Sequence, residues 1–373
     1  MNRFKLIIGL FLTPFSLLYG LVAFVRRLLY RTGILHGEDS PVPAIDIGNL
    51  AVGGTGKTPH TQYVINLLKQ NFHVASLSRG YGRKSKGYQS ILMASEESRI
   101  SEIFGDEPLM THYRFPDIPL AVDGDRCEGV RRLLFENPET EVVVLDDAYQ
   151  HLRFRSSFHI LLTEYGRPFR PDMPMPCGRL REFPSASRYA DAVVVTKVPD
   201  NVSTLNEGEW RRRLRLETTQ PLFFTRFRYA PPRPVTQASR QLNLGSLRDI
   251  VLLTGIAHPE PLLLHLKKSF NIVSHYEFPD HHIFSEREIQ HIYTKHFDNI
   301  GGHCVLFTTE KDWMRLQSDH VINIVSLLAV FVIPVDVVFL TENQKNTFNQ
   351  IVIDHVRGKK KKGWADRRVS EQP

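Results

Sequence analysis

An apolar run, Ala44–Ile47, leads directly into Gly48-Asn49-Leu50-Ala51-Val52-Gly53-Gly54-Thr55-Gly56-Lys57-Thr58, and residues 58–70 then carry helical spacing. Strand, glycine-rich turn and helix in that order build a phosphate-binding loop. Backbone N–H groups at the helix N-terminus cradle phosphate oxygens, a lysine reaches the β- and γ-phosphates, and a threonine hydroxyl is offered to a divalent cation. Ala51, Val52, Gly53, Gly54, Thr55, Gly56, Lys57 and Thr58 are the expected cradle, with Thr58 also a Mg²⁺ ligand. The first position of the G-x-x-x-x-G-K-[ST] pattern is Ala51 instead of glycine, which a backbone with negative φ accommodates. A second apolar run, Val142–Leu145, ends in Asp146-Asp147 and so places two carboxylates at the carboxyl edge of a strand, where open α/β sheets bind ligands and where such loops find their metal-holding aspartate.

The rest of the chain is consistent with that start. Short β-branched runs alternate with amphipathic stretches, the pattern of helices packed on a mainly parallel sheet. Strands are expected at 44–47, 74–77, 120–123, 142–145, 159–162 and 192–196, and helices at 58–70, 107–113 and 128–136. At about 150 residues per domain, 373 residues call for two. The proline-rich Tyr229–Val235 cannot lie inside a central strand or helix and reads as the connector. Beyond it, strands at 250–253, 272–276 and 304–308 and helices at 260–268 and 286–297 form a second α/β set. The expected fold class is thus α/β: a P-loop domain at 36–228, a smaller α/β domain at 229–356, a hydrophobic helix at 1–31 and a basic tail at 357–373.

From Leu6 to Val25 no residue is charged, a length that at 1.5 Å per residue reaches roughly across the 30 Å of a bilayer core. No small-residue cleavage site follows, and Arg26 and Arg27 come at once, so the segment reads as a retained membrane anchor, the alternative being a helix buried on all sides of a soluble domain. Arg26, Arg27 and Arg31 outnumber Arg3 and Lys5, which places the carboxyl-terminal body in the cytoplasm. Charge agrees with a lipid surface. Residues 1–31 and 357–373 each carry +5 against +7 overall, so the interior sums to −3. Basic ends around an acidic centre suit anionic headgroups and not a nucleic-acid groove. The tail, poor in apolar residues, is expected either without structure or against lipid. Cys127, Cys177 and Cys304 are too few and too dispersed for a disulfide framework or zinc site.

Leu77-Ser78-Arg79-Gly80-Tyr81-Gly82-Arg83, Gly105-Asp106-Glu107-Pro108, Asp146-Asp147-Ala148-Tyr149-Gln150-His151, Gly178-Arg179-Leu180-Arg181-Glu182 and Phe278-Pro279-Asp280-His281, together with the phosphate loop, resemble the lipid A 4′-kinase (tetraacyldisaccharide 4′-kinase) family over nearly the whole chain. The resemblance implies a kinase on the cytoplasmic face of the inner membrane of a Gram-negative bacterium. It would use ATP and Mg²⁺ to phosphorylate the 4′-hydroxyl of a lipid disaccharide 1-phosphate, with no nucleic acid and no obligate protein partner. It further implies Asp106 as the base, where position alone reads as a helix cap; His281 as its partner, with His282 a bystander; and Asp146, Asp147 and Glu182 near Mg²⁺, the plain alternative for Glu182 being an ion pair with Arg179 or Arg181. Gln150, His151 and Arg181 are expected around these carboxylates. Arg79 and Arg83 either meet a phosphate of the lipid or nucleotide, or form a solvated basic loop. The family's usual Asp-Asp-Gly and Arg-Glu-Pro are Asp146-Asp147-Ala148 and Arg181-Glu182-Phe183 here. Thr196-Lys197 and Glu310-Lys311-Asp312 end apolar runs with no assigned role. A membrane-tethered P-loop ATPase or GTPase switch is the competing expectation, less suited to a chain with an acid–base pair.

Overall fold

The apolar runs of the first half are buried along their whole length: Ala44–Asn49, Val142–Asp146 and Ala192–Thr196 have no exposed residue. Strands covered on both faces are the mark of a parallel sheet with helices on either side. The computed structural model, which describes residues 3–94, 101–298 and 304–370 and the side chains within 11–358, has that sheet. In spatial order its nine strands are Val335–Phe339, Leu222–Tyr229, Ala192–Thr196, Phe158–Glu164, Ala44–Asn49, Val142–Asp146, Val74–Ser78, Leu120–Val122 and Gln89–Ser90. Neighbours run parallel except at the two edges, Val335–Phe339 on Leu222–Tyr229 and Gln89–Ser90 on Leu120–Val122. Ile47 pairs with Asp146, so the phosphate loop and the aspartates leave the sheet at one edge, side by side.

A second sheet takes the order Arg233–Pro234, Val330–Ile333, Val305–Thr309, Asp249–Thr254, Asn271–Glu277. Its core joins Val251, Leu253, Leu306 and Val330 to Ile289 and Ile292 of helix Glu286–His296. The expected boundary at 229–356 is corrected. Tyr229 finishes a strand of the first sheet, and the chain returns to that sheet at Val335. Pro334, with no N–H to donate, ends the strand Val330–Ile333, and its carbonyl accepts from Ala230 N at 2.9 Å, so the outgoing and returning crossings lie side by side. The last helix, Glu342–Ser370, seats Phe348, Val352 and Val356 in the first unit's core with Ile45, Val64 and Phe223. Tail residues to Ser370 continue this helix, where sequence suggested no regular structure; Glu371–Pro373 lie outside the described residues. Because Phe348 is buried among Tyr63, Phe223 and Phe339, Phe348→Ala is expected to cost about 3–5 kcal/mol in urea unfolding. A loss below 1 kcal/mol would mean that the returning helix is not integral to the core.

The amino-terminal helix spans Arg3–Arg31. Among its described side chains only Ser16, Gly20 and Arg27 are buried, positions that share one face at helical spacing. Ser16 accepts from Cys177 N at 2.8 Å, and Gly20 lies against the Phe183 ring, closer than any Cβ would permit. Phe11, Phe15, Leu18 and Val22 face outward, the reverse of a soluble helix and contrary to burial on all sides. Phe11–Arg31 is long and apolar enough to cross a membrane.

Candidate active site

The phosphate loop has the backbone its sequence demands. Gly53 and Gly56 take positive φ (111° and 89°), and Gly56, the N-cap of helix Lys57–Leu68, sits so close to Phe227 that a side chain would strike the ring. Ala51 is not among the positive-φ residues; it is buried and bridges to Leu180, so alanine is tolerated there. The loop is braced by Val52 N donating to Arg179 O (2.8 Å), Asn49 Nδ2 to Thr55 Oγ1 (2.8 Å) and Thr196 Oγ1 to Thr55 O (2.9 Å). His60 joins Gly56 O (2.8 Å) and Thr225 Oγ1 (3.0 Å), and burial holds its pKa down at about 4. Neutral, with Nδ1–H toward the carbonyl, it pins the turn to strand Leu222–Tyr229.

The second of the paired aspartates, Asp147, holds a left-handed backbone (φ 57°), and the two carboxylates take different partners. Asp146 accepts from Thr58 Oγ1 at 3.3 Å, while its Oδ1 is buried with no partner. Asp147 lies 3.7 Å from Lys57 Nζ and accepts from Arg181 at 3.0 and 3.2 Å. Arg181 also reaches Gln150 Oε1, and Gln150 in turn donates to Asn49 O. Buried Arg126 donates to the Asp147 carbonyl at 3.2 Å. Ala148 needs no positive φ and donates to Asp46 Oδ1, so its departure from the family pattern leaves the turn intact.

Burial raises the Asp146 pKa to about 7, with Asp147 and Glu107 adding to the rise and Lys57 and Thr58 opposing it. A buried carboxylate with an orphan oxygen beside a threonine hydroxyl is a fitting donor set for Mg²⁺, which takes few protein ligands and completes its octahedron with phosphate and water. Without metal, ionising Asp146 costs stability as pH rises through about 7. Stabilisation by Mg–ATP is therefore expected to be larger at pH 8 than at pH 6 by thermal melting, and a pH-independent increment would rule out Asp146 as the carboxylate facing the cation.

One expected site residue is corrected. Glu182 does not face the metal site: both its oxygens accept from Arg27 of the amino-terminal helix at 2.7 Å, in a buried pair that satisfies an otherwise isolated charge. Arg83 donates to Gly87 O at 2.7 Å, Ser85 Oγ and Val122 O, contacts that fold its own loop. Arg79 is exposed, and its charge bears on Arg126 behind Asp147. His151 is half-buried, and burial first, then Arg126, lowers its pKa.

Asp106 is the first residue of helix Asp106–Arg114, not its cap; Gly105 occupies the N-cap. Its carboxylate stands 3.4 Å from His281 Nδ1 and 3.6 Å from Arg315 Nε, both from the second unit. His281 holds a left-handed backbone (φ 61°). Its Nε2 meets Lys311 Nζ at 3.1 Å, and Lys311 also pairs with Asp280 at 2.8 Å. The Asp106 contact raises the His281 pKa against burial and Lys311. His282 instead bonds Glu288 at 3.1 Å. Arg315 is locked by Asp312, Gly255 O and His282 O. At the other end of the Asp106 helix, Arg114 binds Gln62 of helix Lys57–Leu68 and Asp336 of the returning strand. Glu107, next to Asp106, carries a charge that bears on both Asp146 and His281.

Sequence reasoning missed His60, Arg126 and Arg315 and left Lys311 without a role. For Lys311 a signal existed, since it follows an apolar run as a ligand-facing residue does, but the partner it meets is decided by packing.

A family model described as tetraacyldisaccharide-1-P 4'-kinase matches residues 8–357. The chain is 42% identical to a tetraacyldisaccharide 4'-kinase of Bacteroides thetaiotaomicron, over 93% of both chains, and 37% identical to one of Flavobacterium johnsoniae, over 93% of this chain and 96% of that one. It superposes with a TM-score of 0.71 and 28% identity on a crystal structure of LpxK from Aquifex aeolicus in complex with ATP, covering 94% of this chain and 99% of the other.

Proposed function

The chain belongs to the tetraacyldisaccharide-1-P 4'-kinase family, and from that premise we propose that it moves the γ-phosphate of ATP to the 4′-hydroxyl of a tetraacyldisaccharide 1-phosphate, giving lipid IVA. Asp106 accepts the proton of the attacking hydroxyl. His281 orients Asp106 and shares its charge, while Lys311 fixes the other face of the imidazole. The backbone of residues 51–56 cradles the phosphates, with Lys57 at the β/γ end. Thr58 and Asp146 would hold Mg²⁺, which would supply positive charge against the phosphates during transfer. Arg181 and Arg126 keep Asp147 in place beside Lys57.

The observation that carries this reading is the Asp106–His281 pair, built from two units of the chain. A hydrolytic switch leaves that pair without a task. Incubation with γ-labelled ATP and the disaccharide lipid in neutral micelles tests the reading: label on the lipid supports it, and label released only as free phosphate overturns it.

The same proposal places the protein on the cytoplasmic face of the inner membrane. From Ser16 to Arg27 one helix face is committed to the protein body, so this helix rests in the bilayer surface with Phe11, Phe15, Leu18 and Val22 in the acyl region and does not cross it.

A further inference from the structure

Next to the loop that carries Arg179–Glu182, a cavity of about 410 Å³ is lined by Arg170, Pro171, Asp172, Pro184, Arg213 and Arg215. We propose that its three arginines form a second anion site, which takes a phosphate carried on a lipid at the bilayer surface.

The charge in this wall is uncompensated. Asp172, its one carboxylate, is already occupied: it accepts from Arg179 Nε at 3.2 Å and from the backbone of Met173 and Arg179. Arg170, Arg213 and Arg215 have no carboxylate partner among the described residues, and Arg170 Nε is buried with no acceptor. Burial first, then the charges of Arg215 and Arg188, lower the Arg170 pKa. Like charges gathered around one cavity repel unless an anion sits among them.

Two of these arginines close the helix Glu207–Leu214, whose carboxyl end favours cations by itself. That does not account for Arg170, which comes from a separate loop and serves no helix end. Guanidinium forks match phosphate oxygens in shape and stay charged when half-buried.

Position supplies the ligand class. Pro184 in the wall follows Phe183, the ring seated on Gly20 of the amino-terminal helix, so one wall of the cavity is continuous with the segment on which that helix, with its apolar outward face, is docked. A phosphate there is borne by a bilayer phospholipid or by the disaccharide substrate itself; the chemistry is shared, and two measurements separate the sources.

The full-length R170Q, R213S/R215S and triple variants are compared for binding to phosphatidylcholine vesicles with and without phosphatidylglycerol. If the site takes the bilayer phosphate, binding to the anionic vesicles falls by about fivefold per arginine removed, is weakened further by salt, and is unchanged on neutral vesicles. If it takes the substrate's phosphate, the vesicle result is flat, while KM for the lipid in neutral micelles rises by a similar factor with kcat and KM for ATP unchanged. R213K/R215K should restore most of either loss. No change in both measurements, or an equal loss on neutral vesicles, overturns the proposal. Should the triple variant lose its wild-type Tm, the R213S/R215S pair, both exposed, carries the same test. The KM measurement rests on the kinase reading and the vesicle measurement does not, so a wild-type chain inert toward the lipid would sink that reading and leave the arginine site to the vesicles.

Discussion

Asp106→Asn is expected to lower kcat on the lipid acceptor by about 10²–10⁴ and to leave KM for ATP nearly unchanged. The asparagine keeps the shape of the side chain and one oxygen toward His281 Nδ1, so the helix Asp106–Arg114 and its packing should survive. Basicity alone is removed. The unchanged KM for ATP follows from the site's division: the nucleotide loop follows a strand of the first sheet, whereas the Asp106 carboxylate faces His281 and Arg315 of the second unit. His281→Asn should cost less, because Asp106 retains Arg315 at 3.6 Å. Steady-state kinetics at saturating lipid and ATP separate these outcomes. A near-normal kcat for Asp106→Asn would place the proton acceptor elsewhere and reduce the two-unit pair to a structural ion pair.

Arg27→Met is expected to destabilise the docked helix by about 3–5 kcal/mol, because it leaves Glu182 charged and buried with nothing to answer it. Arg27 is not an ordinary surface arginine. Its Nε and Nη2 donate to the two oxygens of Glu182, Nη2 also donates to Tyr149 O at 3.0 Å, and the guanidinium lies 5.1 and 5.3 Å from the rings of Tyr149 and Tyr189. The effect should reach the site. Glu182 follows Arg181, which holds Asp147, and Tyr149 lies two residues past Asp147. Faster amide exchange over residues 149–189 and a lowered kcat are therefore expected together. Arg27→Met with Glu182→Gln should recover most of the stability, since the double change removes both charges. A double variant as unstable as Arg27→Met alone would show that stacking and packing, not the ion pair, hold the helix. Measured against this, the resemblance-based expectation that Glu182 serves the metal predicts a different outcome: Glu182→Gln would weaken Mg–ATP binding while Arg27→Met would not.

Much of the site could be read locally. A phosphate loop is one continuous segment, so Ala51 to Thr58 declare both their conformation and their task, and the apolar run into Asp146 declares the neighbouring strand. The strands at 44, 74, 120, 142 and 192 start within a residue of expectation for the same reason: burial on both faces leaves an uninterrupted apolar word. Strand Leu222–Tyr229 escaped because Thr225, Arg226 and Arg228 break its pattern, and Val335–Phe339 because Pro334 joins it to Val330–Ile333 in one apolar stretch that belongs to two sheets.

What the chain's order of residues determined was whatever depends on neighbours in sequence: the cradle, the adjacent aspartates, the uncharged helix and the charge at both ends. Tertiary structure alone decided which charges meet. Glu182 went to Arg27, 155 positions away, and not to a cation; Arg83 went to its own loop; Asp106 met His281 and Arg315 across the crossing at Ala230 and Pro334. The reason is that a carboxylate's partner depends on which charge lies within a few ångströms and how much water remains between them, quantities that arise only once distant segments have packed.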